Sequence, residues 1–279
     1  MDGAKWALSQ IQPMMPVPSH IRRLKYVRHY PLLLTTLLTL CIATNCTAQT
    51  LDAEALESAL NALGRDVSDR IRDPQRKPIQ TLEFLQLRPG MVALDLYAAG
   101  GYYTYILAKA VGPEGLVYAQ NSPSGLNLEE DRGERTRSAA LEARILAGQL
   151  DNVQRLERPV SELGLAENSV DFVLISQILH DYFNSHPQRA ISMLRNIYYV
   201  LKPDGVVGII DHEGAVGRDN RRLHRLPKEA AIQVVEEAGF VLEAQSDLLA
   251  NSQDRHMRSI FDPMLNRSTD QYLLRLRKP

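Results

Sequence analysis

The sequence has few cysteines and no region of strongly positive charge. Only two cysteines occur among its 279 residues, Cys41 and Cys46, and both lie in the first fifty. The chain has 32 lysines and arginines against 33 aspartates and glutamates, which gives a formal net charge of −1. Without a basic domain or a long Lys/Arg tract, the composition argues against nucleic acid as a partner. The length suits one domain of moderate size with additional segments.

The first fifty residues have the layout of a secretory signal peptide. A basic stretch, HIRRLKYVRHY, precedes an uncharged apolar run, PLLLTTLLTLCIAT, and a small polar exit, NCTAQT. The apolar run is shorter than the about 20 residues that span a bilayer. We therefore expect a signal peptide at 1–48, with an over-long start, rather than an uncleaved anchor or a buried helix. Removal of this segment takes away both cysteines, so we expect a mature protein without disulfides. We also expect the protein to be exported, to the periplasm, without stable membrane insertion.

Strands and helices alternate through the rest of the chain. We expect residues 49–78 to form an N-terminal helix and a linker that lie as a lid over the next domain. We expect residues 79–279 to form that domain. The last two strands, FVLEAQSDLL and DQYLLRLR, have only a loop between them. We expect an α/β fold with a doubly wound, Rossmann-like, mostly parallel sheet of about seven strands and a C-terminal antiparallel hairpin.

The turn after the first strand of this domain is the expected ligand site. The strand VALDLY carries Asp95 near its end, and Gly100 and Gly101 follow before a helix. Ligands of such sheets bind outside the carboxyl ends of the strands, and glycines let a ligand approach the backbone closely. The G-x-G-x-x-G fingerprint and a phosphate-binding lysine are both absent, which disfavours a redox enzyme and an NTPase.

This turn resembles the first motif of class I S-adenosylmethionine-dependent methyltransferases, which reads acidic-x-Gly-x-Gly-x-Gly. Asp95 and Gly101 match its first and last positions, whereas Tyr97 and Ala99 replace the first two glycines. More narrowly, four motifs are similar to those of signal-bearing bacterial proteins described as predicted methyltransferases: Gly100-Gly101-Tyr102-Tyr103, His180-Asp181, Asp211-His212 and Leu223-His224-Arg225. The similarity runs from about Pro78 to the end of the chain.

The resemblance implies S-adenosylmethionine as the cofactor and a small molecule as the methyl acceptor, methylated on oxygen. Methyltransferases usually end their second strand with an acid that binds the ribose hydroxyls, and here Gln120-Asn121 stands in that place. An amide can hydrogen-bond a diol, although without the added strength that a charge gives. The residues implied in cofactor binding are Asp95, Tyr97, Ala99, Gly100, Gly101, Tyr102 and Asn121.

His180 follows the fourth strand, in a region similar to the one that carries the general base of small-molecule O-methyltransferases. An imidazole with an ordinary pKa of about 6.5 can take the proton of a hydroxyl as the new bond forms. Asp181 is expected to orient that ring or to cap the next helix. The predicted catalytic residues are His180, Asp181, Asp211 and His212. The predicted substrate residues are His224 and Arg225, the latter for a carboxylate or phosphate.

Two other interpretations of these residues stay open. Tyr97, Ala99 and Asn121 also suit a site that no longer keeps the full cofactor motif. The protein would then be an exported, non-catalytic small-molecule-binding protein on the same fold. The histidines and aspartates near the crevice also suit a metal-dependent hydrolase. No spacing such as H-E-x-x-H supports that alternative, and we predict no metal site. Export conflicts with a cofactor made in the cytoplasm unless the protein leaves the cytoplasm folded and loaded.

Overall fold

The computed structural model describes residues 50–130 and 135–279. The signal peptide predicted at 1–48 lies outside the described residues. Within the two described ranges, no helix has both the length and the apolar character needed to cross a bilayer.

A seven-stranded sheet forms the centre of the domain. Its strands are β1 (Val92–Leu96), β2 (Leu116–Asn121), β3 (Val153–Glu157), β4 (Val170–Ser176), β5 (Leu201–His212), β6 (Val241–Ser246) and β7 (Gln271–Arg277). Their spatial order is β3-β2-β1-β4-β5-β7-β6. Strands β1 to β5 are parallel, and β7 lies antiparallel between β5 and β6. The predicted mostly parallel sheet with a C-terminal antiparallel hairpin is therefore confirmed.

Helices and apolar side chains cover both faces of this sheet. The helices are α1 (Ala53–Leu60), α2 (Val67–Arg76), α3 (Pro78–Phe84), α4 (Tyr102–Val111), α5 (Pro123–Leu126), α6 (Arg137–Gly148), α7 (Leu179–Ser185), α8 (Pro187–Val200), α9 (Asn220–Leu223) and α10 (Lys228–Glu237). Successive strand residues point to opposite faces. Leu94 accordingly packs in a core with residues of α8 and α10, and Ala93 packs in a second core with residues of α1, α3 and α4.

The N-terminal segment differs from the predicted single helix and linker at 49–78. Two helices form there, because Asp66 starts α2 by accepting a hydrogen bond from the backbone N–H of Ser68 at 2.9 Å. Helix α2 continues through Pro74 to Arg76, so most of the predicted linker is helical. A proline in the last turn of a helix removes a single backbone donor. Lys77, with a φ of 40°, ends α2 in the left-handed conformation.

Candidate functional site

The turn between β1 and α4 has a left-handed backbone at alternate positions. The φ angles are 53° at Tyr97, 50° at Ala99 and 92° at Gly101. These are the three positions at which the methyltransferase motif has glycine, the residue that adopts this conformation without steric cost. Because Tyr97 and Ala99 carry side chains, their conformation must be stabilised by something else.

Two amides at the end of β2 stabilise this turn. The Oε1 of Gln120 accepts the backbone N–H of Tyr97 at 3.0 Å, and its Nε2 donates to the carbonyl of Arg158 at 2.7 Å. The Oδ1 of Asn121 accepts the backbone N–H of Ala99 at 2.9 Å, and its Nδ2 donates to the Ala99 carbonyl at 3.2 Å. The turn lacks two glycines of the family motif, and the end of β2 lacks the usual acid. These two departures are connected, because the amides that stand in place of the acid hold the turn that lacks the glycines.

This geometry revises the predicted role of Asn121. Its side chain is buried and uses both the donor and the acceptor of its amide on Ala99, and it is not among the residues that line the adjacent cleft. Asn121 positions the β1–α4 turn and does not face the cleft.

Asp95 and Gly100 lie at the ligand site that the sequence predicts, whereas Gly101 does not face it. Asp95 is 2% exposed, lines the cleft and accepts the Thr104 hydroxyl at 2.7 Å. Burial outweighs this hydrogen bond and raises the pKa of Asp95 to about 7. Gly100 also lines the cleft. Gly101 lies behind it, where a Cβ would come 2.6 Å from Cδ1 of Leu141, so glycine there permits close packing against α6.

A cleft of about 570 Å³ opens beside this turn, at the carboxyl ends of the central strands. Small-molecule sites have volumes of about 300–1,000 Å³. The turn residues on its wall are Asp95, Tyr97, Ala98, Ala99, Gly100, Tyr102 and Tyr103, and the predicted catalytic residues on its wall are His180, Asp181 and His212. Tyr97 does not fill the cleft, because its hydroxyl bonds to that of Tyr182 and the two rings pack edge to face at 5.8 Å.

Helix α2 adds two arginines that sequence analysis missed. Arg72 and Arg76 line the cleft, and their guanidinium carbons lie 4.8 and 4.4 Å from the centre of the Tyr102 ring. The Tyr102 hydroxyl donates to Asp73 at 2.8 Å. Tyr102 therefore binds α2 to α4 as well as lining the cleft. The spacing of the two arginines, four residues apart, is the signal that would have placed both on one helical face.

A buried ion pair connects α2 to the turn between β1 and α4, which is called the cofactor turn below. The Nε and Nη2 of Arg144 donate to the two carboxylate oxygens of Asp69 at 2.6 and 2.8 Å, and Nη1 donates to the Gly100 carbonyl at 2.7 Å. The same Nη1 lies 2.6 Å from Oε1 of Glu130. The side chains of Arg144 and Asp69 are 3% and 1% exposed. Arg144 therefore fixes the position of α2 relative to the turn.

An imidazole and carboxylate cluster lies along the cleft, at the ends of β4 and β5. Asp211, fully buried, accepts the backbone N–H of His180 at 2.8 Å and lies 2.7 Å from its Nδ1. The Nε2 of His180 lies 3.3 Å from Oδ1 of Asp181, and the same oxygen lies 3.1 Å from Nδ1 of His224. The structure thus brings four predicted residues together, with Asp211 behind the cleft as a positioning residue.

The surroundings shift the pKa values of the two histidines on the cleft wall in opposite directions. Burial lowers the pKa of His180, but the carboxylates of Asp211 and Asp181 outweigh it and raise that pKa to about 10. A ring that is protonated at neutral pH cannot accept a proton, so this geometry does not support His180 alone as the general base. Burial lowers the pKa of His212 to about 3, which keeps its ring neutral, and its Nδ1 lies 2.7 Å from the Thr269 hydroxyl.

The two predicted substrate residues differ in their placement. His224 is partly exposed at the rim of the cleft, where its ring lies 4.9 Å from that of Phe261, a residue of the cleft wall. Arg225 is fully buried and its guanidinium contacts the carbonyls of Arg258 and Glu213, each at 2.9 Å, and Asp254 at 2.8 Å. The predicted contact between Arg225 and a substrate anion is therefore revised to a structural role.

Comparison with protein families identifies one matching segment. Residues 94–209 match the model of a family described as a methyltransferase domain. The chain is also 27% identical over 161 residues to demethylmenaquinone methyltransferases of Listeria monocytogenes and Listeria welshimeri. The matched region covers 57% of this chain, and the chain spans 59% of the length of those relatives.

Solved structures share the fold at low sequence identity. A SAM-dependent methyltransferase from Aquifex aeolicus has a TM-score of 0.56 and 19% identity, covering 82% of this chain and 99% of its own. The [4+2]-cyclase SpnF has a TM-score of 0.55 and 16% identity, covering 78% and 85%. A putative sarcosine dimethylglycine methyltransferase from Galdieria sulphuraria has a TM-score of 0.52 and 16% identity, covering 76% and 88%. A cyclase among these structures shows that the fold alone does not determine the reaction.

Proposed function

We propose that this chain, whose residues 94–209 match the model of a methyltransferase domain, is a class I, S-adenosylmethionine-dependent methyltransferase that transfers the methyl group of its cofactor to an oxygen of a small molecule. The observation that carries the proposal is a single cleft whose wall includes both the β1–α4 turn and the imidazole and carboxylate cluster. A cofactor at the turn and an acceptor at the cluster would share this cleft.

The residues at the turn fit the chemistry of the cofactor. S-adenosylmethionine carries a carboxylate, an ammonium group and a sulfonium centre. Arg72 and Arg76 offer cations to its carboxylate, and Asp95 offers an oxygen to its cationic groups. The hydroxyls of Ser122 and Ser124, also on the cleft wall, can hydrogen-bond the ribose in place of the acid that β2 lacks. The bound cofactor would supply an electrophilic methyl group on sulfur.

Methyl transfer breaks the carbon–sulfur bond, forms a carbon–oxygen bond and releases the proton of the acceptor. At the other end of the cleft, His212 and Asp181 offer nitrogen and oxygen atoms that can hydrogen-bond and orient an acceptor hydroxyl, whose proton is released to water. Asp211 holds His180 in place from behind. We therefore propose that several residues orient the acceptor, in place of His180 alone as a general base.

Calorimetry of the full chain with S-adenosylmethionine and S-adenosylhomocysteine tests the cofactor. We expect both to bind, and absence of heat at millimolar ligand would contradict the proposal. Turnover is then measured as S-adenosylhomocysteine formation with a panel of hydroxylated small molecules that includes demethylmenaquinone, because the curated relatives carry that name. Cofactor binding without turnover on any acceptor would favour the non-catalytic binding protein.

A variant of the acceptor end separates binding from chemistry. Replacing His212 with alanine removes a cleft-wall ring that is remote in sequence from the cofactor turn. The expected result is a fall in turnover of about tenfold, the equivalent of one lost hydrogen bond of about 1.4 kcal/mol, with affinity for S-adenosylmethionine nearly unchanged. An equal loss of turnover and of cofactor affinity would indicate that His212 contributes to folding stability instead. His186→Ala, at an exposed histidine, is the control.

We also propose that the protein acts outside the cytoplasm, on the basis of the signal-peptide layout at 1–48. Fractionation of cells that express the full chain should recover it from the periplasm. A chain lacking 1–48 should stay in the cytoplasm. Recovery of both chains from the same compartment would contradict export.

A further inference from the structure

We propose that His180, Asp181 and His224 bind a divalent transition-metal ion, such as Zn²⁺, at the rim of the cleft. The Oδ1 of Asp181 lies 3.3 Å from Nε2 of His180 and 3.1 Å from Nδ1 of His224. One ligand atom from each of the three residues can be chosen so that all lie within 4.8 Å of one another. Bonds of about 2.0–2.1 Å in a tetrahedral site place neighbouring ligand atoms about 3.4 Å apart. The Asp181 oxygen already has this spacing to both nitrogens, and the partly exposed ring of His224 can close the third.

The surroundings of His180 independently support a metal ligand. A metal-binding histidine almost always donates its second ring N–H to a carboxylate or carbonyl, which fixes the tautomer and aims the other nitrogen at the metal. Here Asp211 lies 2.7 Å from Nδ1 of His180 and also accepts the backbone N–H groups of His180 and His212, both at 2.8 Å. Asp211 is fully buried and cannot turn away. This arrangement leaves Nε2 as the free coordinating atom, directed toward Asp181.

The donor set indicates which metals fit. Two imidazole nitrogens and one carboxylate suit Zn²⁺, Fe²⁺ or Co²⁺, whereas Ca²⁺ and Mg²⁺ prefer sites made of oxygen. Metal binding displaces the proton of His180, and the charge of the ion is then balanced by the carboxylates of Asp181 and Asp211. Three protein ligands leave a coordination position free, as in catalytic rather than structural zinc sites. Asp181 lies on the cleft wall, so an ion bound to it is accessible to a small molecule.

A short sequence motif cannot identify this site, because its three ligands come from separate elements. His180 and Asp181 lie in the first turn of α7, and His224 follows α9. No short motif contains all three residues, and the site that we propose departs from the expectation of no metal site.

A metal at this position would deepen the proposed function, and this role rests on that function. The open position would take the oxygen of the acceptor, and the positive charge would favour its deprotonated form. The nucleophile would then form without a free imidazole base. Binding of the metal itself does not depend on methyl transfer.

Metal binding is measured on the full chain, treated with a chelator and then titrated with Zn²⁺ or Co²⁺ alone. The wild type should bind a single ion per chain, and Co²⁺ should give a visible d–d absorption band. His224→Ala and Asp181→Asn each remove one ligand at a residue that is not buried, and each should weaken the affinity at least tenfold. The control is His186→Ala, which removes an exposed histidine and should bind as the wild type does.

Two outcomes would overturn the metal site: no binding by the wild type at micromolar Zn²⁺, or equal affinities in the wild type and in both ligand variants. Calorimetry of the chelated protein with S-adenosylmethionine separates this result from the proposed function. Cofactor binding without metal binding would reject the metal site alone, and metal binding without cofactor binding would reject methyl transfer alone.

Discussion

Replacing Arg144 with methionine tests the connection between α2 and the cofactor turn. The variant keeps most of the side-chain volume and removes the charge. Asp69, with 1% of its side chain exposed, would lose both hydrogen bonds from Arg144. Breaking a buried pair by removing one partner costs about 3–5 kcal/mol when the other charge is left alone. Asp69 keeps its ion pair with Arg72, so we expect a loss at the lower end of that range. Small proteins unfold with about 5–15 kcal/mol, so the loss is a large share of the total.

Urea unfolding of the full chain, followed by circular dichroism, measures this loss. Arg155→Met is the matched control, because Arg155 is more exposed and its pair with Glu157 lies at the surface. We expect less than about 1 kcal/mol there. The double variant Asp69→Asn/Arg144→Met removes both charges and should recover part of the loss. A single variant that loses less than about 1 kcal/mol, or a double variant that loses the sum of the two singles, would refute this account of the pair.

Three further variants test the turn itself. Asn121→Ala removes the amide that holds Ala99 and should lower the affinity for S-adenosylmethionine about tenfold in calorimetry, the equivalent of one lost hydrogen bond. Asn152→Ala, which removes an amide immediately before β3, should leave that affinity unchanged. Gly100→Ala places a methyl group against the Glu130 carboxylate and should weaken the same binding. Asp95 binds a proton in the folded state between its ordinary pKa of 3.8 and its raised value of about 7. Its contribution to the free energy of unfolding is therefore present below pH 4 and lost as the pH rises to 7, by about 1.4 kcal/mol per unit. The free energy of unfolding of the wild type minus that of Asp95→Asn should follow this slope in urea unfolding between pH 4 and 7, because the opposite contribution of His212 is common to both proteins. A difference that does not change with pH would contradict the raised pKa.

The sheet could be predicted because its signals are local. The apolar residues of β1 and β4 alternate between two cores, and such a pattern is visible in a short window of sequence. Helix α2 could not be predicted in the same way. Asp69 is its buried residue, and its partner Arg144 lies 75 positions further along the chain.

The candidate site was predicted in its position and only partly in its contacts. The ends of strands placed Asp95, His180 and His212 correctly at one crevice, because parallel strands present their carboxyl ends at the same edge. The direction of a side chain is not set by its place in sequence. Asn121 turns toward the Ala99 backbone, and Arg225 turns into the protein toward Asp254.

The bond between Asn121 and Ala99 also constrains how this domain can evolve. An aspartate at position 121 would lose the amide donor to the Ala99 carbonyl. A glycine at position 99 would keep both backbone bonds and adopt the left-handed conformation without steric cost. The order of the two changes therefore matters: the aspartate is expected to be tolerated after the glycine and to be harmful before it.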